Sequence, residues 1–400
     1  MGKAAFLVPL GEGHVNPALA LAQELGRRGH AVAFYADQAF RSRIERSGAS
    51  FRPLASLIHA PSAFDWLQHP HLISRAKIQE RLVDWVMAVA DALLHRLGQD
   101  QPDYLVCDSA VGLLGAVVAR RLQIPHIGLC TTFAWTAGMP PIFPAADDRP
   151  AAGRGEPGGY EEFASRYGFW PPEFPEGWFS LAEVTLVLTS RLFQPDSEQF
   201  DQRFHFIGPC IGERFEAGDF PLQTLDRQRV LYISLGTLFN HKPAFYQRCV
   251  EAFSDFPGVV VMAIGRRTDP ETLPAVPRHF ILRPYVPQPA VLQRAAAFLS
   301  HGGMNSVNES LYHHVPLLLY PIFGDQPVVA RRVVELGAGL CLSPDPSVEE
   351  MRDRLQTLLA NPGYRAQAAR IGASLRAAGG CTHGADVIER YARTAPLQMH

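Results

Sequence analysis

The sequence lacks the features that mark membrane, secreted and disulfide-rich proteins. No stretch approaches about 18 uninterrupted apolar residues, the length that a transmembrane helix needs, so no membrane span is expected. The apolar run at residues 4–10 ends in Gly-Glu-Gly-His with no cleavage-like site, which argues against a signal peptide. The six cysteines form no Cys-x-x-Cys pair, and a chain of 400 residues needs no disulfide framework. Reduced thiols and a cytoplasmic protein are therefore expected.

Charge is also scarce and nearly balanced. Charged residues make up 19% of the chain and the formal net charge is -2, so neither nucleic acid nor an anionic membrane is expected as a partner. Hydrophobic residues make up 47%, which is the composition of a globular protein with ample core. The length exceeds one ordinary domain, and two domains of about 200 residues each are expected.

Short apolar strands alternate with amphipathic helices in two series. Strands are predicted at 4–9, 31–36, 103–107, 125–129, 184–188 and 204–207, and then at 230–234, 259–264, 279–282, 296–300 and 316–320. Helices are predicted at 16–28, 38–47, 110–122, 244–256, 288–294, 304–312, 326–335, 348–359, 364–378 and 384–393. This alternation predicts an α/β fold with parallel, doubly wound sheets.

The two series define the predicted domains. Residues 1–207 form an N-terminal Rossmann-like domain, 208–229 an interdomain linker, and 230–382 a C-terminal Rossmann-like domain. Residues 383–400 are expected to form a helix that packs back on the N-terminal domain. In such sheets ligands bind beyond the carboxyl ends of the strands, so functional residues are expected directly after them.

A His-Gly-Gly turn follows the strand predicted at 296–300. Backbone N–H groups at the start of the next helix, together with the helix dipole, form an anion site. Asn305 and Ser306 lie in its first turn. The tetrapeptide from Ser306 to Glu309 also matches a capping box, which would make both residues mere helix-starting devices. Capping alone requires neither His301 nor the later Asp-Gln pair, so the whole constellation favours a ligand site.

Other strand ends in the second half carry weaker signals. Thr237 follows Gly236 and offers a hydroxyl to a phosphate, although this tetrapeptide also serves as a plain strand-to-helix turn. Arg266 suits a uracil or a phosphate, or is a surface arginine. Tyr285 and Gln288 suit stacking on a base and hydrogen bonding to its edge or to ribose, although Tyr285 also fits a half-buried strand-end aromatic.

The segment 285–326 resembles the donor-binding signature of the family 1 UDP-glycosyltransferases. The matching elements are (W/Y)xPQ, HxGxNSxxE and PxxxDQ, and phrases such as HGGMNSVNE are most similar to the bacterial macrolide and flavonoid branch. The resemblance covers the whole chain. Two features depart from it: Tyr285 stands where many relatives have Trp, and the stretch from Gln288 to His301 is shorter than in plant members.

The resemblance implies a GT-B fold, with two Rossmann-like doubly wound domains facing each other across a cleft, and inverting transfer without a metal ion. It also implies the donor site. It implies that the diphosphate is bound by Thr237, His301, Asn305 and Ser306 with the turn at Gly303. It implies that Glu309 binds the ribose, and that Tyr285, Val286 and Gln288, with Arg266 nearby, bind the uridine. Asp325 and Gln326 are implied to bind the sugar hydroxyls. A final Gln favours glucose in many relatives.

The first half carries Gly-Glu-Gly-His directly after the first predicted strand. The two glycines imitate part of a dinucleotide fingerprint, but Asn16 takes the place of its third glycine. The resemblance implies instead that His14 is the general base and Asp108 its partner. The chemistry fits, because a His that titrates near neutral pH can take the proton of an acceptor hydroxyl, and such a His needs a group that fixes its tautomer.

The acceptor region is read from composition alone. Apolar and aromatic residues suit a broad hydrophobic site, although most such residues in any chain are core. The candidates are Phe64, Trp66, Phe133, Trp135, Met139 and Phe143. No histidine spacing suggests a metal site, and no cofactor is expected, since the UDP-sugar is a co-substrate. The partners expected are that donor and a small hydrophobic acceptor with a hydroxyl group, with a monomer or weak dimer.

The sequence therefore predicts an inverting UDP-glycosyltransferase that moves a hexose, with UDP-glucose as the favoured donor, to a macrolide, flavonoid or other polyketide or phenol. Two alternatives stay open. One is an NAD-dependent oxidoreductase, against which the missing third glycine argues. The other is a non-catalytic protein that binds nucleotide sugars, against which the presence of both His14 and Asp108 argues.

Overall fold

The computed structural model describes residues 1–9, 11–54, 74–136, 138–140, 142, 159–173, 176–212, 220–237 and 240–394. The chain divides into two compact units. Unit 1 comprises Met1–Leu188, Asp196–Cys210 and Gly379–His400, and unit 2 comprises Thr189–Pro195 and Ile211–Ala378. Of the linker predicted at 208–229, residues 208–210 group with unit 1 and residues 211–229 with unit 2, and the chain returns to unit 1 at Gly379.

Unit 1 is built on a parallel sheet. Its strands are β1 Lys3–Leu7, β2 Ala31–Ala36, β3 Ser50–Pro53, β4 Tyr104–Asp108, β5 His126–Cys130, β6 Val184–Val187 and β7 Phe204–Phe206. Within the described ranges they form a seven-stranded sheet in the order β3-β2-β1-β4-β5-β6-β7. All the neighbouring strands run parallel. The prediction of a parallel, doubly wound fold is confirmed for this unit.

Helices cover both faces of this sheet. They are α1 Glu12–Arg27, α2 Arg41–Arg46, α3 Arg75–Asp100, α4 Gly112–Leu122, α5 Tyr160–Tyr167 and α6 Glu176–Phe179. The alternation of side chains along β1 shows why: Phe6 points into a core shared with α1, and Leu7 into a core shared with α3 and α4. Central strands of a parallel sheet are buried on both faces and so read as continuous apolar runs.

Unit 2 repeats the plan. Its strands are β8 Val230–Ser234, β9 Val259–Ala263, β10 Phe280–Arg283, β11 Ala295–Ser300, β12 Leu317–Leu319 and β13 Gly339–Cys341. They form a six-stranded sheet in the order β10-β9-β8-β11-β12-β13 over the described residues. Its helices are α7 Pro243–Ala252, α8 Gln288–Leu292, α9 Met304–Tyr312, α10 Gln326–Glu335, α11 Val348–Ala360 and α12 Pro362–Ala377.

The last helix, α13 Gly380–Thr394, belongs to unit 1. It contributes Ala385 and Ile388 to the core that includes residues of α1. At the end of α1, the Arg28 guanidinium donates to the Asp386 carboxylate at 2.6 Å and to the Thr382 carbonyl at 3.0 Å. These contacts fasten the C-terminal helix to the first helix of the chain.

Several elements differ from the sequence prediction. The first helix begins at Glu12 and not at residue 16, and it carries Pro17 inside it. The 26-residue helix α3 was not predicted, nor were the short edge strands β3 and β13. Among the described helices, none is both long and apolar enough to span a membrane.

Alanine substitutions at two glycines of unit 1 would test how closely α4 packs on the sheet. A Cβ at Gly115 of α4 would lie 2.5 Å from Cys107 Sγ and 2.8 Å from His126 Nε2, whereas a Cβ at Gly98 of α3 would meet nothing within 4 Å. We expect Gly115→Ala to lower the free energy of unfolding by about 1–3 kcal/mol through overpacking. We expect Gly98→Ala to raise it by about 0.5–1 kcal/mol, because alanine favours a helix interior. Denaturant titrations would measure both, and changes of the same sign would contradict this packing.

Candidate active site

The strand order of unit 1 reverses between β1 and β4, and such a reversal opens a crevice at the carboxyl ends of the two strands. His14 lies in the first turn of α1, directly after β1, and Asp108 is the last residue of β4. Because Leu7 of β1 pairs with Cys107 of β4, both side chains are carried to the same edge of the sheet. The structure therefore brings together the two predicted catalytic residues.

The two side chains form a hydrogen bond. His14 Nδ1 lies 2.9 Å from Asp108 Oδ2, and the side chains are 31% and 1% exposed, respectively. The other carboxylate oxygen, Oδ1, accepts from the Ala110 backbone N–H at 2.9 Å. An ionised carboxylate can only accept, so His14 Nδ1 carries the proton and Nε2 keeps its lone pair. This is the tautomer that a general base requires.

Thr131 is a third member of this group that the sequence did not reveal. It follows β5, the neighbour of β4, and its Oγ1 lies 2.9 Å from His14 Nδ1 and 3.0 Å from Asp108 Oδ2. Its place beside the end of a strand is the one sequence feature that could have indicated it.

Local contacts hold the first turns of α1 around His14 and exclude a dinucleotide-binding turn. Arg43 of α2 donates to the Glu12 carboxylate at 2.7 Å and also contacts the Asn16 side chain. Gly13 lies inside α1 and not in a phosphate-binding turn. The residue in the place of the third glycine is thus bound to an arginine, and the glycine-rich loop of an NAD site is not formed.

The predicted acceptor residues fall into two groups. Phe133, Trp135 and Met139 are buried, and the Trp135 indole N–H donates to the Pro140 carbonyl at 3.1 Å. The other three lie outside the described residues, and they are Phe64, Trp66 and Phe143. Contact of any of these side chains with an acceptor stays a prediction.

In unit 2 the strand order reverses between β8 and β11, which pair with Ser234 opposite Ser300. Both strands are followed by the same kind of turn, in which a serine side chain bonds to the backbone N–H of a glycine two residues later. The Ser234 hydroxyl accepts from the Gly236 N–H at 3.3 Å, and the Ser300 hydroxyl accepts from the Gly302 N–H at 3.2 Å. Both glycines have positive φ, 74° and 83°, which other residues rarely adopt. Because Ser234 and Ser300 are paired, the two turns lie side by side at the same edge of the sheet.

The His301 ring lies between these two turns. A Cβ at Gly236 or at Gly303 would come within 2.7 Å or 2.5 Å of its Nε2, so both positions require glycine. Burial lowers the pKa of His301 to about 4, and a hydrogen bond to the Ser234 backbone opposes that shift. The ring is therefore neutral at pH 7.

The helix α9 begins at Met304 with Gly303 as its N-cap and has no side-chain cap. Ser306 and Glu309 consequently lie inside the helix, and the capping-box alternative is wrong. Backbone N–H groups of the first turn are not capped by a side chain, which is the arrangement that favours an anion.

Glu309 is the centre of a polar network. It is 1% exposed, and its two carboxylate oxygens accept from Gln288 Nε2 at 2.8 Å and from Asn305 Nδ2 at 2.9 Å. Gln288 also donates to the Ser306 hydroxyl at 3.3 Å and accepts from the Tyr232 hydroxyl at 3.2 Å. The Glu309 carboxylate thus joins Gln288 of α8 to Asn305 of α9, and Ser306 joins the network through Gln288.

The two residues at the end of the motif differ in their roles. Gln326 Oε1 accepts from the backbone N–H groups of Ile322 and Phe323 at 2.8 and 3.0 Å. These bonds fix the amide, so its NH₂ end is the end available to a sugar oxygen. Asp325, which precedes α10, is half-buried.

The remaining predicted residues lie at the surface or below it. Thr237 and Arg266 are exposed, Tyr285 is 38% exposed, and Val286 is buried. Asn240 is a further residue that the sequence did not reveal: its amide donates to the Gly236 carbonyl at 2.7 Å and fixes the turn that carries Thr237.

In the ranges that the structure describes, no three His, Cys, Asp or Glu side chains come together as a metal site. The prediction that the reaction needs no metal stays a prediction.

Comparison with known proteins places this architecture in a family. The family model described as UDP-glucoronosyl and UDP-glucosyl transferase matches residues 219–375. The model described as the glycosyltransferase family 28 N-terminal domain matches residues 11–91. The chain is 34% identical to YojK of Bacillus subtilis, an uncharacterized UDP-glucosyltransferase, over 395 residues that cover 94% of each chain.

Two further relatives are enzymes of natural-product glycosylation. The chain is 28% identical to the demethyllactenocin mycarosyltransferase of Streptomyces fradiae, covering 97% of this chain and 86% of that one. It matches the crystal structure of CalG4, the calicheamicin glycosyltransferase, with a TM-score of 0.81 and 29% identity over 99% of this chain and 100% of that one. The chain therefore belongs to the family 1 UDP-glycosyltransferases of the GT-B fold, in the branch that includes the bacterial macrolide enzymes.

Proposed function

We propose that this glycosyltransferase transfers a hexose, with UDP-glucose as the expected donor, to a hydroxyl of a small hydrophobic acceptor, with inversion and without a metal ion. The observation that carries the proposal is the hydrogen bond between His14 and the buried Asp108 at 2.9 Å. Glucose is supported by the name of the Bacillus relative, and a macrolide or similar polyketide acceptor by that of the Streptomyces relative.

The reaction is a single displacement. The acceptor hydroxyl gives its proton to His14 Nε2 as its oxygen bonds to the anomeric carbon, and the bond from that carbon to the diphosphate breaks. The imidazolium that forms keeps its Nδ1–H on Asp108, whose negative charge stabilises it. Burial strengthens this stabilisation, because the carboxylate faces little competing water.

Unit 2 supplies the groups that hold the donor. The uncapped N–H groups at the start of α9 face the charge that develops on the leaving diphosphate. The network around Glu309 holds Gln288, Asn305 and Ser306 in fixed positions for the nucleoside and the phosphates. The fixed amide of Gln326 presents N–H donors to a sugar hydroxyl.

The two alternatives are not supported. Residues 12–17 are helical, and Arg43 binds the side chains of Glu12 and Asn16 there, which does not suit a dinucleotide. A non-catalytic binding protein has no use for a histidine whose tautomer is fixed by a buried carboxylate.

Replacing His14 tests the base. We expect His14→Ala to lower kcat for an alcohol acceptor by about 10²- to 10⁴-fold, the usual contribution of a general base. The affinity for UDP should not change, because the donor-binding groups lie in unit 2. UDP release and calorimetric titration with UDP measure the two quantities. His95→Ala, at an exposed histidine of the same unit, is the matched control. Equal loss of UDP binding and of transfer would contradict the assignment.

Replacing Glu309 tests the donor site. In the parent protein the Glu309 carboxylate accepts from two amide groups, those of Gln288 and Asn305. Glu309→Gln replaces one carboxylate oxygen with an NH₂ group, which cannot accept, so one buried hydrogen bond is lost. We expect the affinity for UDP to fall about 10- to 100-fold, since a hydrogen bond to a charged group contributes about 1.5–3 kcal/mol. Glu335→Gln, at the exposed end of α10, is the control. If UDP affinity stayed unchanged while the melting temperature fell, Glu309 would have a structural role alone.

A further inference from the structure

We propose that Thr131 is a positioning residue for the catalytic base, and that its hydroxyl fixes the tautomer and orientation of His14 together with Asp108. This inference rests on the proposed function. Three atoms carry it: His14 Nδ1, Asp108 Oδ2 and Thr131 Oγ1 lie 2.9, 2.9 and 3.0 Å apart. Each atom is therefore within hydrogen-bond distance of the other two.

The donors and acceptors of this triangle determine where the protons lie. The ionised carboxylate of Asp108 can only accept, so Thr131 donates its single proton to Oδ2. The Thr131 oxygen then presents only lone pairs to His14. A His14 ring with its proton on Nε2 would leave two acceptors, its own Nδ1 and Asp108 Oδ2, to share the one proton of the Thr131 hydroxyl, which is unfavourable. The triangle of three atoms thus favours the tautomer with the proton on Nδ1.

The same arrangement fixes the ring plane. A single acceptor restrains one N–H direction, whereas Oδ2 and Oγ1 together hold the Nδ1–H between them. Thr131 is only 8% exposed, so water competes little with either contact. Its position follows from the fold, because β5 lies beside β4 with Leu129 opposite Asp108. The helix after β1, the last residue of β4 and the residue after β5 each contribute one member of the triangle.

A positioning role for Thr131 can be distinguished by experiment from a purely structural role, in which its hydroxyl only forms a hydrogen bond in the core. A core role alters stability and affects every acceptor alike. A positioning role affects catalysis most where the acceptor is least acidic, because such an acceptor depends most on proton removal.

Three variants test it with acceptors of graded acidity. We compare Thr131→Val, Thr131→Ser and Thr185→Val in UDP-release assays with UDP-glucose, using para-nitrophenol, an unsubstituted phenol and an aliphatic alcohol. Thr185 is a buried threonine of β6 in the same unit whose hydroxyl lies 3.5 Å from the Phe179 carbonyl, and it is the matched control. Thr131→Ala is used if Thr131→Val does not fold, as judged by circular dichroism.

We expect Thr131→Val to lower kcat about tenfold for the aliphatic alcohol and less than about twofold for para-nitrophenol, the size of one lost hydrogen bond. The KM for UDP-glucose should stay constant. Thr131→Ser should keep kcat within about twofold of the parent because it retains the hydroxyl. Thr185→Val should show no dependence on acceptor acidity.

An equal fall of kcat for all acceptors, or a Thr131→Ser variant as slow as Thr131→Val, would overturn the positioning role. Failure of the proposed function would look different: the parent protein would release no UDP, or His14→Ala would still transfer to the alcohol. If transfer by the parent protein depended on His14 but Thr131→Val were fully active, the role of Thr131 would be refuted and the proposed function would stand.

Discussion

The hydrogen bond between His14 and Asp108 is the constraint on which the rest of unit 1 depends. A carboxylate that is 1% exposed is costly to bury unless its oxygens are occupied, and here Ala110, Thr131 and His14 occupy them. Those partners meet only because β1, β4 and β5 are neighbours that end at the same edge. The apolar cores on both faces of the sheet thus hold these strands in the positions that bring the polar cluster together at its edge.

Unit 2 uses the same sheet order for a different chemical purpose. Its strand ends present backbone N–H groups and amides, and the buried carboxylate of Glu309 organises amide donors and not a histidine. Paired glycine turns after β8 and β11 leave room for the His301 ring. In the proposed function, acid–base chemistry and anion binding therefore belong to separate units, each at the point where its strand order reverses.

The sequence predicts the central strands well, because buried parallel strands such as β4 and β8 are continuous apolar runs. It misses β3 and β13, which are short edge strands with little apolar signal, and α3, whose buried residues Ile78, Leu82 and Val86 do recur at helical spacing. The motif around His301 was visible as residue types, but whether Ser306 and Glu309 cap a helix or lie inside it depends on where the chain turns. The role of Thr131 was not predicted, because a single hydroxyl becomes informative only when the fold places His14 and Asp108 beside it.

The central claim is that the acceptor oxygen, deprotonated by His14, attacks the anomeric carbon directly in one step. The stereochemistry of the product tests it. The parent protein is incubated with UDP-glucose, in which the sugar is α-linked, and a phenol, and the anomeric proton of the product is read by NMR. A large coupling to the neighbouring proton, diagnostic of a β-glucoside, is the predicted result. A small coupling, diagnostic of an α-glucoside, would contradict the single displacement.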